Sequence, residues 1–491
     1  MIGRLAAHTF KNHLLTLRFS IGVAMAVIMV VAVTLVQIQD YDARSQAVAQ
    51  YERTRMEIRE RTTAWSMVRT VLEIPPSKLS FLAKGISNAS PNNLEISAGR
   101  PATLIEMGRY HAANPLLDFL PDPDVASIVA FFFSFLAVLL SYDLISGARE
   151  QGMLRSLLAV GVGRIQLITG LALGGFATLL LIVILSIGAI AATLQWASSI
   201  QLNGEVLAGL LIISLEILLY CILFFAIGLL CSSLCRRSNL SLLFALLAWV
   251  VLVIGIPALA SQVVVQLDPL PTTESLEKTT REIDAEFRQQ VNNYMEEHSP
   301  FRTNRNLYYG WNTGNIFGFG VNNAHYVVRS PFQEVIDFRR GLREFKEPLR
   351  ERAITRLEQA QHEYENLMWR QVETVGLLSS ISPASVFRRL CAVAAGNDPG
   401  SLRRFVESAR QMRREYVAFQ RSKGYGSLDF TTDQHRDRAP LDLSGLPPQP
   451  QMQWNAGNVL HDSAIDISLL IAPLVVIFFA VGFIFNRYDV R

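Results

Sequence analysis

Residues 165–194 read IQLITGLALGGFATLLLIVILSIGAIAATL and contain no Asp, Glu, Lys or Arg. This stretch exceeds what a bilayer needs, because a helix crosses the hydrocarbon core in roughly 20 residues. Half of the 491-residue chain is apolar and only 18% is charged, with a mean hydropathy of +0.27. We therefore predict that the stretch is a transmembrane helix of an integral membrane protein.

Five further apolar blocks accompany this stretch. We predict an α-helical polytopic membrane protein with six transmembrane helices, over residues 19–38, 124–141, 165–194, 206–231, 240–260 and 465–486. The first block is predicted to be an uncleaved anchor, because it is long for a signal peptide and no small-x-small cleavage site follows it. An even number of spans places both termini on the same side.

The orientation follows from Lys and Arg in the short loops, because basic residues resist translocation. The 142–164 loop, the turn at Arg236-Arg237 and the 487–491 tail all carry arginines and fall on one side. The short loop 195–205 on the other side has neither Lys nor Arg. We therefore expect both termini to lie in the cytoplasm.

Two long segments, 39–123 and 261–464, then lie outside and are predicted to form two mainly α-helical external domains. The first opens with a helix-favouring run that continues the first span to about Leu72. Helical patterning in the second covers 274–297, 333–378 and 400–422. Residues 1–18 place apolar residues at helical spacing with basic residues between them, which predicts a helix lying in the cytoplasmic interface.

Composition and motifs argue against an enzyme. The formal net charge of +3 provides no basic field for nucleic acid. The chain has no P-loop, no H-E-x-x-H and no G-x-S-x-G motif. We therefore predict no catalytic residue, no metal and no cofactor bound by this chain. Three of the four cysteines lie in or beside the fourth span, whereas Cys391 is expected to stand alone in polar surroundings.

The loop SYDLISGAREQGMLRSLLAVGVGR, residues 141–164, is the most informative polar segment. Met153, Leu154, Leu157 and Leu158 form one apolar face beside charged residues, which is typical of a short amphipathic helix. Such a helix is suited to docking in a groove on a partner and to passing force to the spans. An ordinary loop with snorkelling arginines is the alternative.

This loop resembles the segment after the second span of type-2 ABC exporter permeases, most clearly in YDLISGAREQGMLR, residues 142–155. The runs IPPSKLSFLAKG (74–85) and FNRYDVR (485–491) resemble the external motif and the tail of a branch with large periplasmic insertions after the first and fifth spans. ISPAS (381–385), before a helix, is a weaker match. Ala148 and Met153 depart from the family pattern, which usually has an acidic residue and a threonine there.

The resemblance implies a permease that dimerises with an identical or related subunit in the bacterial inner membrane. Separate ABC ATPase subunits, which bind the ATP and magnesium, would grip the 142–164 coupling loop. The residues that match the family's loop are Asp143, Ser146, Gly147, Arg149, Glu150, Gly152, Leu154 and Arg155.

Glu216 is the one acidic residue in the middle of a predicted span. A charge at this depth is costly, so the side chain is expected to face protein or water. It is either a carboxyl of a transport pathway or dimer interface, or a partner in a structural hydrogen bond between helices. Asp466, at the start of the sixth span, is expected to be solvated.

Three functions fit these features. The first is the permease of an ATP-driven transporter, with export implied by the resemblance. The second is a mechanotransmission subunit that relays ATPase motion to periplasmic partners without transport, which the large external mass favours. The third is an anchored assembly module without an ATPase, against which the family-like loop argues. A polar residue in mid-membrane favours transport over relay, because a relay needs no pathway.

Overall fold

The computed structural model describes the spans and most of the external helices. Its described residues are 2–61, 68, 70–73, 76–85, 93–96, 101–103, 123–154, 163–197, 200–267, 269, 271, 273–300, 333–423, 441–443, 445–448 and 455–486. Arg155, the 487–491 tail and the first two residues of the 74–85 motif lie outside them. Six described helices are long and apolar enough to cross a membrane, which confirms the predicted six-span α-helical fold.

From the N-terminus, the described helices are α1 (Ile2–Leu14), α2 (Leu17–Arg61), α3 (Val125–Ile128 continued by Val129–Phe133 and Ser134–Ser141), α4 (Ser146–Glu150), α5 (Arg164–Ala197), α6 (Gly204–Leu234), α7 (Ser238–Val250 continued by Val251–Gly255 and Ile256–Leu267), α8 (Thr273–His298), α9 (Gln333–Ser379), α10 (Pro383–Ala395), α11 (Pro399–Ser422) and α12 (Ala456–Asn486). The six spans are α2, α3, α5, α6, α7 and α12. Strands β1 (Thr70–Glu73) and β2 (Asn93–Ile96) pair antiparallel.

The run predicted as helix up to about Leu72 ends in a strand. α2 is described up to Arg61 and Leu72 lies in β1, so the prediction that the helix reaches about Leu72 is wrong. Thr70 and Val71 are β-branched, which favours a strand. The two-residue period of the strand then points Leu72 into a core that it shares with Leu94 of β2.

The sheet of segment 39–123 shares a hydrophobic core with α11 of segment 261–464. Leu72 and Leu94 of the sheet pack against α11 of the second segment. A buried hydrogen bond from Thr103 Oγ1 to Gln361 Oε1, 2.8 Å long, joins the first segment to α9. The described residues in and after the sheet therefore contact both α11 and α9 of the second segment.

α1 runs alongside the third span. Three contacts, each four residues further along both helices, join them: Leu5 with Gly170, Thr9 with Gly174, and His13 with Thr178. Contacts that advance together show that α1 follows the direction of α5. Its predicted place in the cytoplasmic interface stays a prediction. The glycines, four residues apart, allow the close approach of the two helices.

The second and fifth spans, α3 and α7, each contain a π-helical turn. Such turns often occur at functional sites, and here neighbouring side chains bond to their carbonyl groups. The Tyr220 hydroxyl of α6 donates to Ala130 O at 2.8 Å. Ser382 Oγ, just before α10, donates to Leu252 O at 2.5 Å.

Candidate functional site

The loop after the second span leads into the short helix α4, which Ser232 of the fourth span holds in place. Ser232 Oγ accepts hydrogen bonds from the N–H groups of Ile145 and Ser146, both at 3.0 Å. Ser146 Oγ lies 3.2 Å from the same hydroxyl, and both serines are fully buried. Ser146 thus anchors the loop to the C-terminal end of the fourth span.

Glu150 and Arg149 bind the turn between the fourth and fifth spans. The side chain of Arg237, the N-cap of α7, makes no capping bond. Glu150 supplies one from the loop: its Oε1 accepts from the Ser238 N–H at 3.0 Å and its Oε2 from Ser238 Oγ at 2.7 Å. Arg149 Nη1 donates to Cys235 O, at the end of α6, at 2.9 Å. The loop is therefore bonded to the end of one span and the start of the next.

Gly152 and Gly147 differ in whether their backbone conformation requires a glycine. Gly152 follows α4 with φ of +69°, in the left-handed region that side chains disfavour, and its N–H donates to Arg149 O at 3.1 Å. A methyl group at Gly147 would meet Asp143 at 3.5 Å and Ser238 Oγ at 3.7 Å, which are ordinary contacts. Only Gly152 is therefore required by the backbone conformation.

The other predicted loop residues are divided between surface and core. Asp143 Oδ2 pairs with Arg18 Nη1 at 3.0 Å, and both side chains are more than a third exposed. Leu154 is buried in a cluster with residues of the third, fourth and sixth spans, whereas Met153 is exposed. The two described residues of the predicted apolar face, Met153 and Leu154, therefore differ in exposure. Arg155 lies outside the described residues.

Glu216 lies inside the bundle, with 4% of its surface exposed. Both carboxyl oxygens are buried, and neither has a hydrogen-bond partner in the part of the chain that the structure describes. The alternative of a structural hydrogen bond between helices is therefore not seen there. The role of Glu216 stays a prediction.

α10 comes from the external segment 261–464, yet it packs inside the bundle. Its Phe387 ring stacks on Tyr220 of the fourth span, with 4.4 Å between centroids and 17° between the planes. Phe387 and Cys391 are buried in the same apolar core as the spans. The expectation of polar surroundings for Cys391 is therefore wrong. A helix of 13 residues is too short to be found by a search for full-length spans.

Arg389 joins α10 to the sixth span. Its Nη2 and Nε donate to Asp466 Oδ1 at 2.7 Å and to Oδ2 at 3.2 Å, a bidentate arrangement. Its Nη1 donates to Gly376 O near the end of α9 at 2.7 Å. Asp466, expected to be solvated, is instead an ion-pair partner whose side chain is 16% exposed.

Sequence reasoning missed Ser232, Ser238 and Arg389. The hydroxyl groups carried no signal, because serine is common within spans and at helix starts. The start of α10 could have been recognised in the sequence, because Ser382-Pro383 is a typical helix start. Ser382 Oγ does accept a hydrogen bond from the Ser385 N–H at 3.3 Å. The apolar residues that follow at helical spacing favour a buried helix.

Among the described residues no cluster of His, Cys, Asp or Glu is suited to hold a metal ion. Comparison with known protein families matches residues 5–326 to the family described as "ABC-2 family transporter protein". The match covers more than half of the chain and includes the first five spans, the coupling loop and Glu216, but not α10 or the sixth span. No curated protein matches the chain.

Proposed function

The chain belongs to the ABC-2 transporter family, and we propose that it is the permease subunit of an ATP-driven exporter whose separate ATPase subunits grip the 142–164 loop. The observation that carries the proposal is the attachment of this loop to the spans. Ser146 binds the fourth span, and Glu150 binds the first residue of the fifth. A loop held at both points transmits a push as a rigid element.

The surface offered to an ATPase subunit is the exposed end of α4 and the turn after it. Glu150, Gln151 and Met153 are exposed there. When a partner displaces this surface, the bonds to Ser232 and Ser238 carry the displacement into the inner ends of α6 and α7. ATP and magnesium belong to the partner, because the sequence has no P-loop.

We favour transport over a relay because of Glu216. A relay to external partners needs no polar group in mid-membrane, whereas a pathway does, and a carboxyl buried without a partner is retained at a cost in free energy. The proposal includes a second permease copy or relative, cytoplasmic termini and the bacterial inner membrane. Export follows from the resemblance of the loop, the 74–85 motif and the tail.

The test is purification of the tagged chain from its host in mild detergent, followed by identification of co-purifying chains and an ATPase assay. We expect an ATP-binding subunit and vanadate-sensitive turnover. Glu150→Gln should leave the complex assembled but lower its turnover. Glu297→Gln, an exposed acid on external α8, is the matched control. Loss of turnover in both variants, or recovery without any ATPase subunit, contradicts the proposal.

A second test separates transport from relay. The cargo is sought by profiling the lipids and small molecules outside the cytoplasm in a deletion strain and in one rescued by the wild-type chain. We expect Glu216→Gln to assemble normally but to restore less cargo. Glu205→Gln is the control, because it changes an exposed acid at the outer end of the same helix, paired with Lys78 at 2.8 Å. Full rescue by Glu216→Gln removes this carboxyl from the pathway.

A further inference from the structure

α10 has one exposed side chain, and it is an arginine. Every other residue of the helix is buried or half-buried, but Arg388 is exposed. Its guanidinium lies over the Phe131 ring of the second span, with 5.0 Å between the Arg388 Cζ and the ring centroid. The neighbouring residues Phe387 and Arg389 contact the fourth and sixth spans instead. Arg388 therefore lies where α10 reaches the surface of the bundle, beside the second span.

α10 runs from the middle of the bundle to one of its ends. Ser382 Oγ, just before the helix, donates to Leu252 O, which lies midway along α7. Asn397 Nδ2, just after the helix, donates to Ala83 O at 2.7 Å. The N–H of the residue after Ala83 donates to Asp124, the N-cap at the start of the second span. The C-terminal end of α10 therefore lies level with the start of the second span.

Arg388 lies well inside that end of the bundle. It precedes the last residue of α10 by seven positions, and Phe131 follows Asp124 by seven positions. At 1.5 Å per helical residue, both helices place the guanidinium about 10 Å inside the bundle. Charged groups mark the end itself, where Lys84 Nζ lies 3.7 Å from Asp40 Oδ2. Arg388 is therefore at the depth of the hydrocarbon core, which is about 30 Å thick.

A positive charge at this depth needs an anion. Residues 125–142, 165–197, 206–234 and 238–267, which belong to four of the spans, contain no Lys or Arg. Arg389 is paired with Asp466. Arg388 forms no ion pair with the residues that the structure describes, where its contact is the Phe131 ring. A cation–π contact offsets only part of the cost of an arginine that faces lipid.

The surface next to Arg388, further into the bundle, is aromatic. Phe131 is 39% exposed, and Phe135, one helical turn deeper, is half-buried. The Phe135 ring meets the Trp249 ring of the fifth span edge to face, with 5.5 Å between the centroids. We call Phe131, Phe135 and Trp249 the aromatic strip. A cation with an aromatic strip beneath it matches a molecule that has an anionic head and hydrocarbon chains.

We propose that Arg388 binds the phosphate of an anionic membrane lipid that reaches it sideways from the bilayer, with the acyl chains against the aromatic strip. The planar guanidinium matches a phosphate with two parallel hydrogen bonds, and the lipid supplies the missing negative charge. The strip favours a lipid over free phosphate, because acyl chains cover apolar surface. The inference goes beyond the proposed function and takes only the orientation from it: cytoplasmic termini place Asp124 on the outer side, so the lipid belongs to the outer leaflet.

A photoactivatable lipid tests the site. The full-length chain is placed in phosphatidylcholine nanodiscs with increasing fractions of phosphatidylglycerol that carries a diazirine in one acyl chain. After irradiation, mass spectrometry of peptides identifies the labelled residues. We expect saturable labelling around Phe135 and Trp249. A phosphatidylcholine probe with the same diazirine chain should label these positions weakly, because its choline already neutralises the phosphate.

Variants of Arg388 test the role of its charge. Arg388→Gln should raise the fraction of phosphatidylglycerol probe at half-maximal labelling about tenfold, because hydrogen bonds to a charged group are lost. Arg388→Lys keeps the charge but not the planar fork, so its value should lie between those of Arg388→Gln and the wild type. Arg352→Gln is the matched control, because it changes an exposed arginine on α9 outside the bundle. It should label like the wild type.

Thermal unfolding of the same variants provides a second measurement. Phosphatidylglycerol without a diazirine should raise the unfolding temperature of the wild type and of Arg352→Gln, because a ligand that binds the folded state stabilises it. It should not raise that of Arg388→Gln. In pure phosphatidylcholine, Arg388→Gln should unfold no earlier than the wild type, because a charge has been removed from the depth of the hydrocarbon core.

Three outcomes overturn the lipid site. They are equal labelling by the two probes, labelling that is unchanged in Arg388→Gln, and no labelling of the aromatic strip in the wild type. None of them bears on the proposed function, which depends on an associated ATPase. A chain without any ATPase subunit contradicts that function, while the labelling in nanodiscs still decides whether Arg388 binds a lipid.

Discussion

At one end of the bundle, α4 and the residue before it are held by hydrogen bonds to Ser232 of the fourth span and Ser238 of the fifth. Within the bundle, α10 is held by the bidentate ion pair of Arg389 with Asp466 and by the stack of Phe387 on Tyr220. Both short helices contact the fourth and fifth spans, but Glu150 of α4 is exposed, whereas Phe387 of α10 is fully buried. α4 therefore offers a surface that a partner can reach, whereas α10 is part of the packed interior of the bundle.

The largest expected effect is a loss of stability from a substitution in α10. Phe387→Ala removes a fully buried ring that stacks on Tyr220. Truncation of a buried phenylalanine costs roughly 3–5 kcal/mol, because transfer free energy is lost and a cavity remains. We expect a large fall in the thermal unfolding temperature of the chain in nanodiscs.

Phe479→Ala is the matched control for that substitution. Phe479 lies on the sixth span with 73% of its surface exposed, so its truncation opens no cavity. A similar loss of stability in both variants would mean that Phe387 is not packed in the interior of the bundle, and the contrast between the buried α10 and the exposed α4 would be wrong.

The six spans were predictable from sequence, because their apolar runs match the thickness of a bilayer, and so were the main external helices. α10 was not placed, because its 13 residues look like an ordinary helix of the external segment until the stack on Tyr220 is seen. In the loop, Ser146 and Glu150 were named from the family resemblance, and their role in coupling stays a prediction. Their partners Ser232 and Ser238 were not named, because pairing across about 90 residues leaves no local pattern.

An intermediate effect is expected from Gly152→Ala, in the turn after α4. The left-handed conformation at Gly152 costs a residue with a side chain about 1–2 kcal/mol, so the turn after α4 should shift or loosen. We expect unfolding temperature to fall little but ATPase turnover in the assembled complex to fall clearly. Gly147→Ala, in the same loop with ordinary contacts for the added methyl group, should retain turnover. Equal loss in both variants argues against a specific role of the turn.

A smaller effect is expected from Ser238→Ala. It removes the hydroxyl that donates to Glu150 but keeps the backbone N–H that donates to the same carboxylate. Turnover in the complex should fall by less than with Gly152→Ala, and stability should hardly change. Ser261→Ala is the control, because that serine lies on the same helix with its hydroxyl bonded only within the helix, to Ala258 O. If Ser238→Ala abolished turnover, the fifth span would depend on this one hydroxyl more than its geometry indicates.

The smallest effect is expected from Asp143→Asn. This substitution allows a direct comparison of the Asp143–Arg18 ion pair with the Asp466–Arg389 ion pair. Asp143 and Arg18 are 37% and 57% exposed, whereas Asp466 and Arg389 are 16% and 30% exposed. Exposed pairs contribute about 0–1 kcal/mol, because solvent screens them and two long side chains must be ordered. Asp143→Asn should therefore change the unfolding temperature less than Asp466→Asn, and high salt should diminish the difference between Asp143→Asn and wild type. If Asp143→Asn lowered the unfolding temperature more than Asp466→Asn, the Asp466–Arg389 pair would not be the more stabilising of the two ion pairs.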